Sequence, residues 1–330
     1  MRYELSPGRP PGADLRRVGA ALITQAVEQV EEEALSPDEA VHEARKTMKK
    51  LRGLLRLVRP AAPALYKAEN RAFRDAARHL AVVRDADVAL ETFDKVLARA
   101  GDPSASSPWK SPLGAVRPEA LERLRARLGD YRDEAHAGAG DARSRLDELR
   151  ARMLDARERV ADWQLPEPDN PGDDFALLGH GLEKTYKRGR KAMERAYAEP
   201  GAARFHEWRK RTKYLGYHLR LLRPAWPKLL KVHRRAVKDL QRLLGDDHDL
   251  AVLDELLETL RMGEEPTPQE TEAVHALRAE MARQSAGLRQ RAQGLGALVY
   301  AERPEALHRR IDTYWRQATR AAAATTREIP

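Results

Sequence analysis

The sequence predicts an all-α fold, and three observations carry that expectation. Amphipathic runs of 20 residues or more follow one another, and no stretch shows the period-2 alternation of β-branched residues that marks strands. Ala, Leu, Arg and Glu dominate while aromatics make up only 5%, a helix-forming mixture. With 42% hydrophobic residues over 330 positions, the chain can bury a sizeable core.

The breakers place each element in turn. The cluster SPGRPPG at 6–12 precedes a first helix over 13–35. Ser36-Pro37-Asp38-Glu39 has the spacing of a capping box with Pro at the first helical position, and it opens a helix over 38–59 that Pro60 ends. A run over 63–100 stops at GDPSASSPWKSPLGAVRP (101–118), and another over 117–160 stops at QLPEPDNPGDD (164–174). That segment lies near mid-chain and reads as a linker between a first half, 13–163, and a second, 174–322. Helices then follow over 174–198, 203–223 (ended by Pro224) and 227–262. After the breakers at 263–268 come helices over 268–293 and 304–322.

The chain has no cysteine, which excludes disulfides, thiolate nucleophiles, zinc ribbons and iron–sulfur clusters, and fits a reducing compartment. The start, MRYELSPGRPPGADLRR, lacks the apolar core of a signal peptide, and no stretch approaches 18 uninterrupted apolar residues. A cytoplasmic protein with no membrane partner is expected. Net charge is +9, and 34% charged residues could be no more than a solvated helical surface, so placement decides what the charge means.

Placement is revealed by an internal repeat. VHEARKTMKKLRGLLRLVRP (41–60) and FHEWRKRTKYLGYHLRLLRP (205–224) share 11 of 20 residues without a gap, at an offset of 164. The same offset sets Asp75 against Asp239, Arg78 against Arg242, Leu80 against Leu244, Asp85 against Asp249, Val88 against Val252 and Glu91 against Glu255. Two helical bundles related by a pseudo-twofold axis are therefore expected, with equivalent surfaces brought together.

In the first copy Val41, Ala44, Met48, Leu51, Leu55 and Val58 form an apolar seam at helical spacing. One position on, rotated by about 100°, stand His42, Arg45, Lys49, Arg52, Arg56 and Arg59, with Lys46 widening the stripe. The second copy places Phe205, Trp208, Leu215, Leu219 and Leu222 inward, beside His206, Arg209, Lys210, Lys213, Arg220 and Arg223. Gly216 stands where the first copy has Arg52. A solvated face ordinarily places Glu four residues from Lys or Arg. Here like charges hold that spacing, twice, and call for an anion. Arg forks and Lys ammonium groups suit phosphoryl oxygens, and a row of them suits a linear polyanion. Recognition of single-stranded nucleic acid usually adds exposed aromatics. This stripe has none, and Trp208 lies on the apolar side. A polyanion without bases fits better than RNA or DNA.

These blocks, with LAVVRDADV (80–88) and LLGDDHDLAV (243–252), resemble the CHAD family, the conserved histidine α-helical domain. The resemblance extends over about 13–322. It implies paired helical bundles around a basic cavity, binding of inorganic polyphosphate and association with polyphosphate granules. The ligand contacts it implies are His42, Arg45, Lys46, Lys49, Arg52 and Arg56 in the first half, and His206, Arg209, Lys210, Lys213 and Arg220 in the second. Gly216, and His248 where the first half has Arg84, depart from symmetry.

Rival readings remain open. Asp246-Asp247-His248-Asp249, with His206 and His233, could hold metal in a phosphohydrolase acting on polyphosphate or nucleotides. The first half has Arg84-Asp85 at the equivalent place, and an Arg cannot ligate a metal. Lys67, Arg71, Arg74 and Arg78, with Lys231, Arg235, Lys238 and Arg242, form either an opposite wall or a solvated face. No phosphate-binding glycine loop, dinucleotide fingerprint or nucleophile elbow occurs. A binding module with no catalytic residue, metal or cofactor is expected.

Overall fold

The computed structural model describes residues 3–32, 35–79, 84–101, 111–138, 141–167, 173–261 and 267–327. Among them there are eleven α-helices and no strand. These are α1 (Pro11–Glu31), α2 (Pro37–Val58), α3 (Pro63–His79), α4 (Arg84–Ala100), α5 (Pro118–Gly138) and α6 (Ala142–Ala161), followed by α7 (Ala176–Ala198), α8 (Ala202–Leu221), α9 (Pro227–Arg261), α10 (Pro268–Val299) and α11 (Pro304–Arg327). Two 3₁₀ turns, Pro112–Ala115 and Arg223–Ala225, join neighbours. No helix is long and apolar enough to cross a membrane among the described residues.

Local chemistry accounts for several boundaries. The Ser36 hydroxyl accepts from the Glu39 amide and the Glu39 carboxylate accepts from the Ser36 amide, so the expected capping box opens α2. The run expected over 63–100 is two helices, α3 and α4, and residues 80–83 between them, with Leu80, lie outside the described set. The run expected over 117–160 is also two. α5 extends to Gly138, residues 139–140 lie outside the described set, and Asp141 starts α6 afresh by accepting from the amides of Arg143 (3.0 Å) and Ser144 (3.2 Å). Conversely, α10 runs past the expected stop at 293 through Gly294 and Gly296. A Cβ at Gly296 would come within 2.7 Å of the Trp208 indole, so packing asks for a glycine there.

Both expected seams are buried except at Val41, which is only partly buried against the core. Ala44, Met48, Leu51, Leu55 and Val58 on α2, and Phe205, Trp208, Leu215, Leu219 and Leu222 on α8, are at most 3% exposed. They belong to a large core made by α1, α2, α3, α6, α7, α8, α11, the first part of α9 and the end of α10. A second core joins α4 and α5 to the last part of α9 and the middle of α10, through Phe93, Val96, Leu128, Leu253 and Leu277. Each core thus draws on both sides of the 164–174 segment. α9 is about 50 Å long at 1.5 Å per residue and contributes to both.

Close backbone approach sets how α2 meets the second half. A Cβ on Gly181 of α7 would lie 1.7 Å from the Leu57 carbonyl oxygen of α2. One on Gly53 of α2 would touch the Tyr217 ring of α8 at 3.0 Å.

Candidate anion-binding site

Part of each cation row meets the other: Arg45 and Lys49 of α2 come near Lys213 and Arg209 of α8. Lys213 on α8 stands where they meet, with its ammonium pushed down to about 7. Burial is the largest cause, then Arg209 of its own helix and Lys49 of α2. Asp249 opposes the shift and Arg45 of α2 adds to it. Cations from both repeat copies therefore crowd one cleft. Arg209 is also held below its ordinary range by burial, with Asp249 and Tyr217 partly offsetting that, and its Nε is buried without a hydrogen-bond partner.

A pair of imidazoles borders this cluster. His206 Nδ1 lies 3.2 Å from His248 Nδ1, and the ring centroids are 4.3 Å apart. Burial, then Lys210 and Arg209, push His206 down; burial, then Arg209 and His206, push His248 to about 4. Both are neutral at pH 7 in the free protein, one nitrogen of the pair donating and the other accepting. Burial pushes the Asp249 carboxyl up, against the pull of Arg209.

At the rim, each copy repeats one small device. Lys46 pairs with Glu43 and Lys210 with Glu207, both at 2.6 Å and three residues apart. Exposed pairs of this kind contribute about 0–1 kcal/mol, so they yield readily to a stronger anion. His42 stands one turn before Arg45. Lys50, which lies outside the stripe, is lowered by burial and then by Arg220 and Lys46, so Arg220 approaches the same flank, its guanidinium 5.8 Å from the Tyr3 ring. Arg52 turns toward α3 and donates to Asn70 Oδ1 at 3.2 Å.

The break in symmetry at Gly216 has a packing cause. A Cβ there would lie 2.2 Å from the Gln241 amide nitrogen, which donates to the Thr212 carbonyl at 3.0 Å. At the repeat offset, Gln241 corresponds to Ala77. The first copy has the long residue on α2 (Arg52) and the short one on α3; the second reverses them, trading a cation for an amide.

Arg56 marks a second cationic recess, a shallow one open to solvent with a cavity of only about 10 Å³, between α2, α7 and α8. Arg59, Lys184, Arg188, Arg211 and Tyr214 line it with Arg56. The Arg56 guanidinium lies 4.0 Å over the Tyr214 ring, and Arg59 lies 4.8 Å over Tyr66. Burial lowers Arg188, followed by the charges of Arg211, Arg59 and Arg56. Arg211 is held by Glu207, whereas Arg56, Arg59, Lys184 and Arg188 form no ion pair among the described residues. The repeat could not reveal Lys184, Arg188 and Arg211, because Ala20, Thr24 and Thr47 stand at the equivalent positions. The signal that could have found them is the four-residue spacing of Lys184 and Arg188 beside the run KRGRK (187–191).

The acidic run is dispersed. Asp246 pairs with Arg99 of α4 at 3.0 Å, and buried Asp247 accepts from Ser285 (2.5 Å) and Arg289 (2.9 Å) of α10. His233 is half-buried near Arg310 and Glu302 instead. Among the described residues this run does not gather three ligand atoms within 4.8 Å of one another. The Arg84 side chain lies outside the described set. On the flanking helices Arg74 pairs with Asp75 and Arg242 with Asp239. Lys67, Arg71, Lys231 and Lys238 there are exposed or half-buried.

The family model "CHAD domain" matches residues 19–258. Among solved structures, this chain is similar to the crystal structure of the CHAD domain from the plant Ricinus communis, with a TM-score of 0.53 and 21% identity. The likeness covers 92% of this chain and 94% of that one and concerns the fold. No curated protein matches the chain.

Proposed function

Because the chain belongs to the CHAD domain family, we propose that it binds inorganic polyphosphate in the cleft between α2 and α8, as a non-catalytic module that associates with polyphosphate granules. The crowding of Lys213 by Arg209, Lys49 and Arg45 carries the reading. Like charges held together in a half-buried cleft destabilise one another until an anion arrives, and a chain of phosphates neutralises several at once. The ligand then runs from the Lys213 cluster toward the Arg56–Arg188 recess. Nucleic acid is the rival match: Tyr217 lies beside Arg209, and Tyr214 and Tyr66 lie under Arg56 and Arg59, so competition with RNA decides between the two polyanions.

The test is a titration with polyphosphates of graded length, with RNA as competitor. Replacing Arg45 and Arg209 together by Glu should abolish retention on polyphosphate while leaving the helical circular dichroism intact, since neither residue belongs to the apolar seams. Unchanged retention would overturn the assignment, as would RNA that short polyphosphate cannot displace. Divalent-dependent phosphate release that disappears in His248→Ala would show a phosphohydrolase instead.

A further inference from the structure

Away from the cation rows, the geometry points to a zinc-class divalent metal site formed by His180 and Glu183 of α7 with His308 of α11. His308 Nδ1 lies 2.8 Å from Glu183 Oε2, and His180 Nδ1 lies 4.0 Å from the same oxygen. One ligand atom from each residue falls within 4.8 Å of the other two. Ligand atoms about 2.1 Å from a tetrahedral zinc stand roughly 3.4 Å apart, and the two separations bracket that value. A small movement of the His180 side chain therefore closes the set. Two imidazoles and a carboxylate are the donors that zinc and its neighbours prefer, with water completing the shell.

The surroundings hold the ligands in place. His180 and Glu183 are three residues apart and share one face of α7. The His308 ring meets Phe175 edge-on at 5.7 Å, and a Cβ at Gly179 would come within 2.6 Å of its Nε2. Nε2 is thus turned to the α7 backbone and Nδ1 is presented to Glu183. The His180 side chain is 68% exposed, which leaves an open path for an ion. Bound metal would join α11 to α7, beyond anything a polyphosphate module requires.

The experiment uses the full chain stripped with chelator, in phosphate-free buffer, titrated with Co²⁺ followed by absorption and with Zn²⁺ followed by calorimetry. One ion per chain is expected, with zinc displacing cobalt and raising the thermal midpoint. His180→Ala removes an exposed ligand and should fold normally, yet lose both the binding and the thermal shift; Glu183→Gln should do the same. Absence of binding in the wild type would overturn the site. So would zinc binding that survives in His180→Ala, or that is lost in His248→Ala in its place.

Discussion

The buried His218 imidazole of α8 donates from Nε2 to the Gly53 carbonyl of α2, at 3.1 Å and across 165 residues of sequence. The carbonyl can only accept, so the proton sits on Nε2. Burial pushes the ring down to about 3, against the Gly53 bond that favours the charged form, so it is neutral throughout the physiological range.

This makes His218 an acid-sensitive joint. Its folded pKa lies below the ordinary 6.5, so the unfolded chain binds the extra proton between those values. Its contribution to stability is intact above pH 6.5 and is lost as pH falls toward 3. By 1.36 kcal/mol per unit the loss is roughly 3 kcal/mol at pH 4.5. His218→Leu, which installs the residue found at Leu54 in the other copy, should be less stable at pH 7.5 by about 0.5–1.5 kcal/mol for the lost hydrogen bond. Between pH 7.5 and 4.5 it should lose about 3 kcal/mol less than wild type in urea melts. Equal losses would show that His218 does not carry the acid slope.

Lys213 sets the opposite end of the pH range for binding. In the free protein its ammonium titrates near 7, and a bound polyanion restores it toward the ordinary 10.5. Above pH 7, then, binding takes up a proton and affinity falls as pH rises; below 7 this residue contributes no further slope. Calorimetry at pH 8 in buffers of different ionisation enthalpy should detect the uptake, and Lys213→Gln should remove it.

Arg188 tests whether the recess extends the site. If a long chain reaches it, Arg188→Glu should weaken long polyphosphates more than short ones. The log–log salt slope should shrink by roughly 0.7 for each phosphate no longer neutralised, by analogy with single-stranded polyanions. Identical weakening for long and short chains would confine the ligand to the Lys213 cluster.

Gly181 has a purely structural assignment. A methyl group there would sit 1.7 Å from the Leu57 carbonyl oxygen, which is backbone and cannot swing aside. Gly181→Ala should force α7 off α2 and cost about 3 kcal/mol, measured by urea denaturation.

Much of this was legible because the chain repeats itself. The seams at Ala44–Val58 and Phe205–Leu222 and the cations beside them follow from a period of 3.6 seen twice, and the Ser36 box follows from local hydrogen bonding. Tertiary neighbours account for what was not. Lys184 and Arg188 join the cationic surface only because Gly181 lets α7 lie against α2, and no spacing within one helix encodes that. Arg52 left the row because Asn70 of α3 was within reach, and Asp247 left the acidic run for Arg289. Lys213 and His248 have depressed pKa values first because the fold buries them and then because of charges far away in sequence, Lys49 and Arg45 for the one and Arg209 for the other, relations that composition cannot express.

The two cores carry a last implication, for cutting the chain. A fragment ending at residue 167 would present Leu54, Leu57 and Phe93 without the faces of α7, α8 and α9 that cover them, and its complement would expose Leu178, Leu182 and Leu253 in the same way. Neither piece is a self-sufficient folding unit. Produced together, they should reassemble as complementary partners; produced alone, each should aggregate.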